Sequence, residues 1–600
     1  MPTSRSLIRE CARGLGVLLL LAGAGCGGGW HRVAAPPPAP VSGSAAAIKV
    51  DESRSDPETE RRVEAHARYA AGVVRTERGE SVQAEQEFAR SVAADPGNEA
   101  LVLELARRYL QEQQADRAIE ILSRTTIRPD AGGLMFAWLG MAQAQAGRTN
   151  AAIGSFRTAI KKTPQSLMAY HGLAELYLKG HQTNEALRVL DGAANQKDVA
   201  PGFLIGLSEF LVVAQRTRLL PADQTKPRIL NWLERVARAN PTQPFLLQKM
   251  ADAYKEVGEL GRAAKLYEDL LARQGAANPG LALLLREQLV RLYLADGQKA
   301  KAADQLKAIL RDRPTDAKVY QLLGAIAADS QHYAEAAEAY EKALLMDEDL
   351  DTAYFDLAGM RLALGKPTEA LAILDKARAK FGASFLVEFY TGVARSGLRE
   401  YGEAVKNFTA AELLAKANEP ARLNHVFYFQ IGSAYERLAN AAFAERREAD
   451  GQRYFAEAET HLRRAIELSP DSAEALNYLG YMWAERGTNL GEARQMIEKA
   501  LKREPDSAAY LDSLAWVLHQ SKQSAAALEP MLRAVKLSEE PDATLYEHLG
   551  DIYQGLGRRT EARESWQKAL DLWQKLPEAR RQLISPDPAP GLRRKLEAAP

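Results

Sequence analysis

The chain has 600 residues, more than one hydrophobic core usually supports, so it is either several domains or one elongated array. Apolar residues make up 46%, charged residues 26% and aromatics only 7%, proportions that suit an Ala-rich helical protein. Lys plus Arg and Asp plus Glu each number 78, a balance that leaves no basic footprint for nucleic acid and no acidic tail. Both cysteines, Cys11 and Cys26, lie near the N-terminus, so the body can form neither a disulfide nor a thiolate metal site.

In chain order, Arg5, Arg9 and Arg13 precede an apolar run from Leu15 to Ala24, followed by small residues and Cys26. A basic segment, a short apolar segment and small residues before a cleavage point are the parts of a secretory signal. The apolar run is too short to span a bilayer as a helix, which needs roughly 20 residues. Gly23-Ala24-Gly25-Cys26 resembles a bacterial lipobox, with Gly23 where that motif usually has Leu. The resemblance implies residues 1–25 as a cleaved signal and lipid on Cys26; the alternative is an ordinary signal with an incidental cysteine. Gly27, in place of Asp, resembles an outer-membrane address, which implies an exported protein facing the periplasm. Residues 26–62, rich in Gly, Pro, Ala and Ser, read as a tether between that anchor and a folded body.

From about Glu64 one pattern recurs. Phe136, Leu139 and Gly140 are followed by Ala152, Phe156, Ala159 and Pro164. The next unit gives Tyr170, Leu173, Ala174 and Tyr177, then Ala186, Leu190 and Ala193. Later units give Tyr320, Leu323, Gly324, Ala336, Tyr340 and Ala343, and near the end Leu549, Gly550, Tyr553, Ala562, Trp566 and Ala569. Leu139 and Leu173 are 34 residues apart, as are Leu323 and Leu357. Spacings of three and four place the large residues on one helix face. The small residues let paired helices approach, and Pro164, Pro314, Pro470 and Pro505 end units. One such unit cannot bury its apolar face alone, so neighbours must stack.

This signature resembles the tetratricopeptide repeat family, and the C-terminal stretch from Asn477 to Trp516 resembles the repeats of bacterial envelope members. The resemblance implies an all-α fold, an alpha-alpha superhelix or solenoid of about fourteen helix-turn-helix units over residues 63–574. Two interruptions are expected. One is a degenerate unit at about 201–240, its turn stretched from Arg216 to Pro227. The other is an Ala-, Arg- and Glu-rich insertion at about 439–457, read as two lengthened helices projecting from the array. Residues 575–600 form a tail with a short capping helix from Gly591 to Ala598.

Catalytic and metal motifs fail on inspection. His171 and His181 flank a turn and are solvated or capping residues rather than metal ligands. Gly359 to Gly365-Lys366 has the wrong spacing for a phosphate loop, and Pro367 replaces its Ser or Thr. Asp347-Glu348-Asp349-Leu350-Asp351 lacks the Gly and Glu of a calcium loop, having Thr352 and Ala358 there. No enzyme activity, cofactor or metal is expected.

Family resemblance assigns groove-facing side chains to the fifth and ninth places of each unit's first helix. Those places carry Phe355, Phe389 and Phe429, then Asn477 with Tyr481, and Asp512 with Trp516. Such an aromatic stripe suits an extended peptide or partner helix. The competing reading is that the rings pack on neighbouring helices. Earlier units are more polar there, with His171 and Glu175, Gln248 and Asp252, and Glu287 and Arg291. The expectation is a non-enzymatic scaffold, held to a membrane by lipid on Cys26, that binds protein or peptide partners. The alternative is a targeting or substrate-recruiting subunit of a multi-chain envelope enzyme or of a secretion or polysaccharide-export complex.

Overall fold

A computed structural model describes residues 56–576 and 588–598. The signal, Cys26 and most of the tether lie outside the described residues. Every regular element among the described residues is helical. The chain divides into two compact units, one reaching Ile309 and the other starting at Leu310.

The N-terminal unit holds α1 (Pro57–Glu77), α2 (Ser81–Ala94), α3 (Glu99–Gln111), α4 (Ala115–Thr126), α5 (Gly133–Gln145), α6 (Thr149–Lys162) and α7 (Leu167–Lys179). It continues with α8 (Thr183–Ala194), α9 (Pro201–Arg216), α10 (Ala222–Arg238), α11 (Pro244–Glu256), α12 (Leu260–Gln274), α13 (Pro279–Ala295) and most of α14 (Lys299–Asp312). The C-terminal unit holds α15 (Ala317–Asp329), α16 (Tyr333–Met346), α17 (Asp351–Ala363), α18 (Pro367–Phe381), α19 (Phe385–Gly397), α20 (Tyr401–Asn418), α21 (His425–Ala444) and α22 (Glu448–Leu468). It ends with α23 (Ala473–Arg486), α24 (Leu490–Arg503), α25 (Ala508–Gln520), α26 (Ser524–Leu537), α27 (Ala543–Gly555), α28 (Arg559–Lys575) and α29 (Ala589–Ala598). Up to α28 these form fourteen hairpins, each an odd-numbered A helix followed by an even-numbered B helix.

Two local devices repeat. Many A helices start on a short polar cap whose oxygen accepts a backbone N–H: Asn98 from Leu101, Asp316 from Val319, Ser384 from Val387, Asn424 from Phe427. The turn between the two helices of every hairpin contains a left-handed residue, which reverses the chain in about one residue. In half of the turns that residue is glycine, as at Gly365 (φ 71°); elsewhere it is a polar side chain, as at His181 (φ 57°). The false phosphate loop and the stray histidine of the sequence therefore both reduce to hairpin turns.

Within a hairpin the small position of the A helix meets the large residue of the B helix. A Cβ on Gly140 would lie 2.7 Å from the Phe156 ring, so only glycine fits there. Phe156 is sealed between Ala152 and Ala159, both fully buried. Within each unit successive A helices also pack on one another, as α5 does on α7 and α25 on α27. This A-helix face is where the candidate site sits.

Three boundaries differ from expectation. Helix α1 begins at Pro57, inside the expected tether, because Asp56 accepts from the Glu58 N–H, Pro57 holds a first-turn position and Glu58 and Glu60 suit the helix N-terminus. The stretched turn of the degenerate unit is short: α10 resumes at Ala222 and takes Pro227 inside the helix. Pro227 falls close enough to the start that few intrahelical bonds are lost. The insertion does lengthen α21 and α22, to 20 and 21 residues, but their tips are not bare. The Arg486 guanidinium of α23 lies 3.4 Å from the centre of the Phe443 ring and ties the extension to the next hairpin.

Candidate functional site: the A-helix face

The fifth place of the A helix is covered through five successive hairpins of the C-terminal unit, from α17 to α25. In the C-terminal unit Phe355, Phe389 and Phe429 are 6%, 7% and 5% exposed, and Asn477 and Asp512 are 2% and 4% exposed. The expected stripe of accessible rings is thus corrected. Phe389 lies 5.6 Å from Phe385, 5.5 Å from Tyr390, 5.9 Å from Phe408 and 6.2 Å from Phe427, an aromatic cluster that fills the seam between α19 and its neighbours. Phe355 stacks on Tyr390, and Phe429 meets Tyr478 edge-on. The side chain one turn on, at the ninth place, stays partly open: Tyr481 and Trp516 are half-buried. The fifth and ninth residues share one helix face a turn apart, and the neighbouring A helices cover the fifth while leaving the ninth half-open.

Around these two residues the A face becomes a polar network. His548 donates from Nδ1 to the Asp512 carboxylate at 2.7 Å, and both side chains are buried. The Trp516 indole stacks on His548 at 4.2 Å and on His519 at 5.4 Å, and Tyr481 reaches to 6.5 Å of His548 from two hairpins back. His519 Nδ1 lies 3.0 Å from the Ser524 hydroxyl. Burial works against a charge on His548, but the Asp512 carboxylate, aided by Glu485 and Asp551, outweighs it and holds the imidazole above its usual pKa. Burial depresses His519, and the neighbouring His548 and Lys595 depress it further against the opposing pull of Asp551. The Trp516 Nε1 and the Asn477 Oδ1 are buried with no hydrogen-bond partner among the described residues.

The face ends at α27, where Glu547 and Asp551 occupy the fifth and ninth places. Lys595 of α29 reaches both, at 2.8 and 2.7 Å, and Trp566 Nε1 donates to Asp551 at 3.0 Å. Leu592 of the same helix is 1% exposed against the last hairpin's tryptophans. Further back, the Tyr478 hydroxyl donates to Glu436, whose carboxyl burial pushes above the usual range. Sequence reasoning did not single out His548, His519 or Lys595. The available signal was His548 standing one place after a fifth-place position.

In the N-terminal unit α7, α11 and α13 keep polar, accessible residues on the A face, whereas Ala137 of α5 and Ile205 of α9 are buried at the fifth place. Glu175, Gln248 and Arg291 are exposed, and His171, Asp252 and Glu287 are half-buried. His171 stacks on Phe210 at 4.9 Å, and burial lowers its pKa. Asp252 accepts from the Tyr267 hydroxyl at 2.6 Å and pairs with Lys255. Among the described residues no group of three or more His, Cys, Asp or Glu side chains is placed to hold a metal ion, and no helix is long and apolar enough to cross a membrane.

Comparison with known protein families agrees with the repeat reading. Tetratricopeptide repeat profiles match residues 76–129 and 143–201, then 103–166, 287–349, 322–384, 443–489 and 486–540, and finally 543–572. A TPR repeat-containing protein of Pseudomonas aeruginosa is 28% identical over 229 residues, 38% of this chain and 35% of that protein. Tetratricopeptide repeat protein 21B of Xenopus laevis is 26% identical over 258 residues, 42% of this chain and 18% of that one. The chain thus spans about a third or less of the length of these relatives. Among solved structures, the APC/C hetero-tetramer Cut9-Hcn1 aligns at 13% identity and a TM-score of 0.37, covering 91% of this chain and 96% of that one. The profiles together take in more than half of the sequence, and the chain belongs to the tetratricopeptide repeat family.

Proposed function

We propose that this protein is a non-enzymatic scaffold of the bacterial envelope, anchored by lipid on Cys26, that captures a protein partner on the A-helix face of its C-terminal unit. The repeat architecture supports the scaffold part: tandem hairpins stack their A helices into one extended face, the kind of surface that repeat proteins use for binding. The observation that carries the choice of surface is the half-open pair Tyr481 and Trp516, set beside Asp512 and His548. Aromatic side chains with a polar edge are the groups that dominate binding hot spots. The anchor rests on Gly23-Ala24-Gly25-Cys26 and the basic-apolar segment before it. Acyl chains contribute membrane affinity of roughly 0.8 kcal/mol per buried CH₂, so more than one chain holds firmly.

Two measurements test the reading. Intact mass of the mature membrane-bound protein should show acyl mass at Cys26, and Cys26→Ser should release the protein from membranes; a soluble, unacylated native protein removes the anchor. Photo-crosslinkers placed at Tyr481 and Trp516 should trap the same partner in cells, whereas crosslinkers at exposed B-helix positions such as Leu413 should not. Equal trapping from both faces would remove the A face as the working surface.

A further inference from the structure

The ring stack at the end of the A face joins three hairpins and contains two imidazoles, His519 and His548. Asp512, Trp516 and His519 come from α25, His548 from α27, and Tyr481 from α23. The Asp512–His548 hydrogen bond and the Trp516–His548 stacking run across the α25–α27 seam, and His519, stacked on Trp516 of its own helix, meets α27 at Gly555, where a Cβ would lie 3.1 Å from its Cε1, so these side chains set how closely the two A helices lie. The charged groups facing the stack are already engaged. Asp512 is held by His548, Asp551 by Lys595 and Trp566, and Glu485 stands on the Tyr481 side. A positive charge on His519 would meet His548 across the indole and Lys595 beside it, with no carboxylate left unengaged on its own side.

We propose that the Asp512–His548–Trp516–His519 stack is a proton-operated joint: with His519 neutral it clamps α25 to α27, and protonation of His519 loosens the clamp and widens the end of the A face. The depressed basicity of His519 agrees with this, because a base that is harder to protonate in the folded chain withdraws stability as pH falls below its ordinary value of about 6.5. The raised His548 stays charged over the same range and holds Asp512 in place. The inference concerns the joint and not its occupant, so it stands or falls apart from the envelope reading.

Hydrogen exchange of the full chain, corrected for the intrinsic pH dependence of the amides, tests the joint. Between about pH 7.5 and pH 5, protection of peptides covering α25 and α27 should fall by about threefold or more, while peptides covering α5 and α6 hold theirs. His519 is half-buried, so His519→Gln keeps the fold and should abolish most of that fall. Lys595→Gln, which removes the second cation facing His519, should weaken it. A loss of protection spread evenly over both units, or one that is the same in wild type, His519→Gln and Lys595→Gln, would overturn the proposal.

Discussion

The two units share one hairpin plan and differ in the run of side chains that several A helices carry at the fifth place. In α7, α11 and α13 that place carries His171, Gln248 and Glu287, all exposed or half-buried, while the apolar Ala137 of α5 and Ile205 of α9 are fully buried there; in α17, α19, α21, α23 and α25 it carries Phe355, Phe389, Phe429, Asn477 and Asp512, all buried, between the half-buried Gln321 of α15 and Glu547 of α27. The difference teaches that a groove position in a helical repeat is not fixed by its number. A long polar side chain at the fifth place reaches to solvent, and a ring or a short polar group there draws the next A helix over it. Once the fifth place is covered, the ninth is the first that a partner can touch.

The largest expected break in this comparison is at Phe389. Replacing a buried aromatic ring by alanine leaves a cavity and costs about 3–5 kcal/mol. Phe389→Ala should therefore lower the unfolding midpoint of the C-terminal unit sharply, measured by exchange protection of α19 and α21. Gln248→Ala, the matching change in the N-terminal unit, should stay within about 0.5 kcal/mol. A mild Phe389→Ala would mean that the seam can collapse around the missing ring.

A smaller effect separates charged members of the A face, one buried and one exposed. Asp512→Asn preserves shape but leaves the buried His548 without its counter-charge, at a cost of about 2–3 kcal/mol. Glu175→Gln on the N-terminal A face, an exposed side chain paired only with Lys179, should be near neutral in thermal unfolding.

The titration of two histidines, His171 of one unit and His548 of the other, should then differ in sign, whereas His519 shares the sign of His171. Burial lowers His171, so the stability that its neutral ring contributes is present above about pH 6.5 and is lost as pH falls. His548 is raised, so its contribution is complete below about pH 6.5 and is lost as pH rises through its elevated folded value. In melting curves taken from pH 5 to 9, His171→Gln should flatten the acid side of the N-terminal unit and His548→Gln the alkaline side of the C-terminal unit. The same sign in both would show that Asp512 does not control His548.

What was legible in the sequence follows from what is local. The 34-residue recurrence, the small-against-large pairing of Gly140 with Phe156 and the capping polar residues are set within one hairpin or between immediate neighbours, and each reads directly from spacing. The accessibility of the fifth place depends on how closely the next A helix lies, which no spacing within a unit reports. The Asp512–His548 pair spans 36 residues and the Lys595 contacts span 44 and 48, so they became visible only when the hairpins were stacked. Pro227 misled for a related reason: read alone it breaks a helix, but close behind the start of α10 it removes little.

The smallest expected effect asks whether the units differ anywhere besides the A face. The hairpin turns carry a left-handed residue in both, with Gln113 (φ 60°) in the N-terminal unit and Lys522 (φ 60°) in the C-terminal one. A side chain in that region crowds its own carbonyl, and glycine relieves the crowding while adding freedom to the unfolded chain. The two terms oppose each other, so Gln113→Gly and Lys522→Gly should each raise stability by only about 0.5 kcal/mol, and by the same amount. Equal small gains would place the whole contrast between the units on the A face, since the turn is set by its own backbone and by nothing across the seam. A gain at Gln113 with a loss at Lys522 would instead mean that the Lys522 turn, which follows directly on α25 and the His519–Ser524 contact, is coupled to the ring stack.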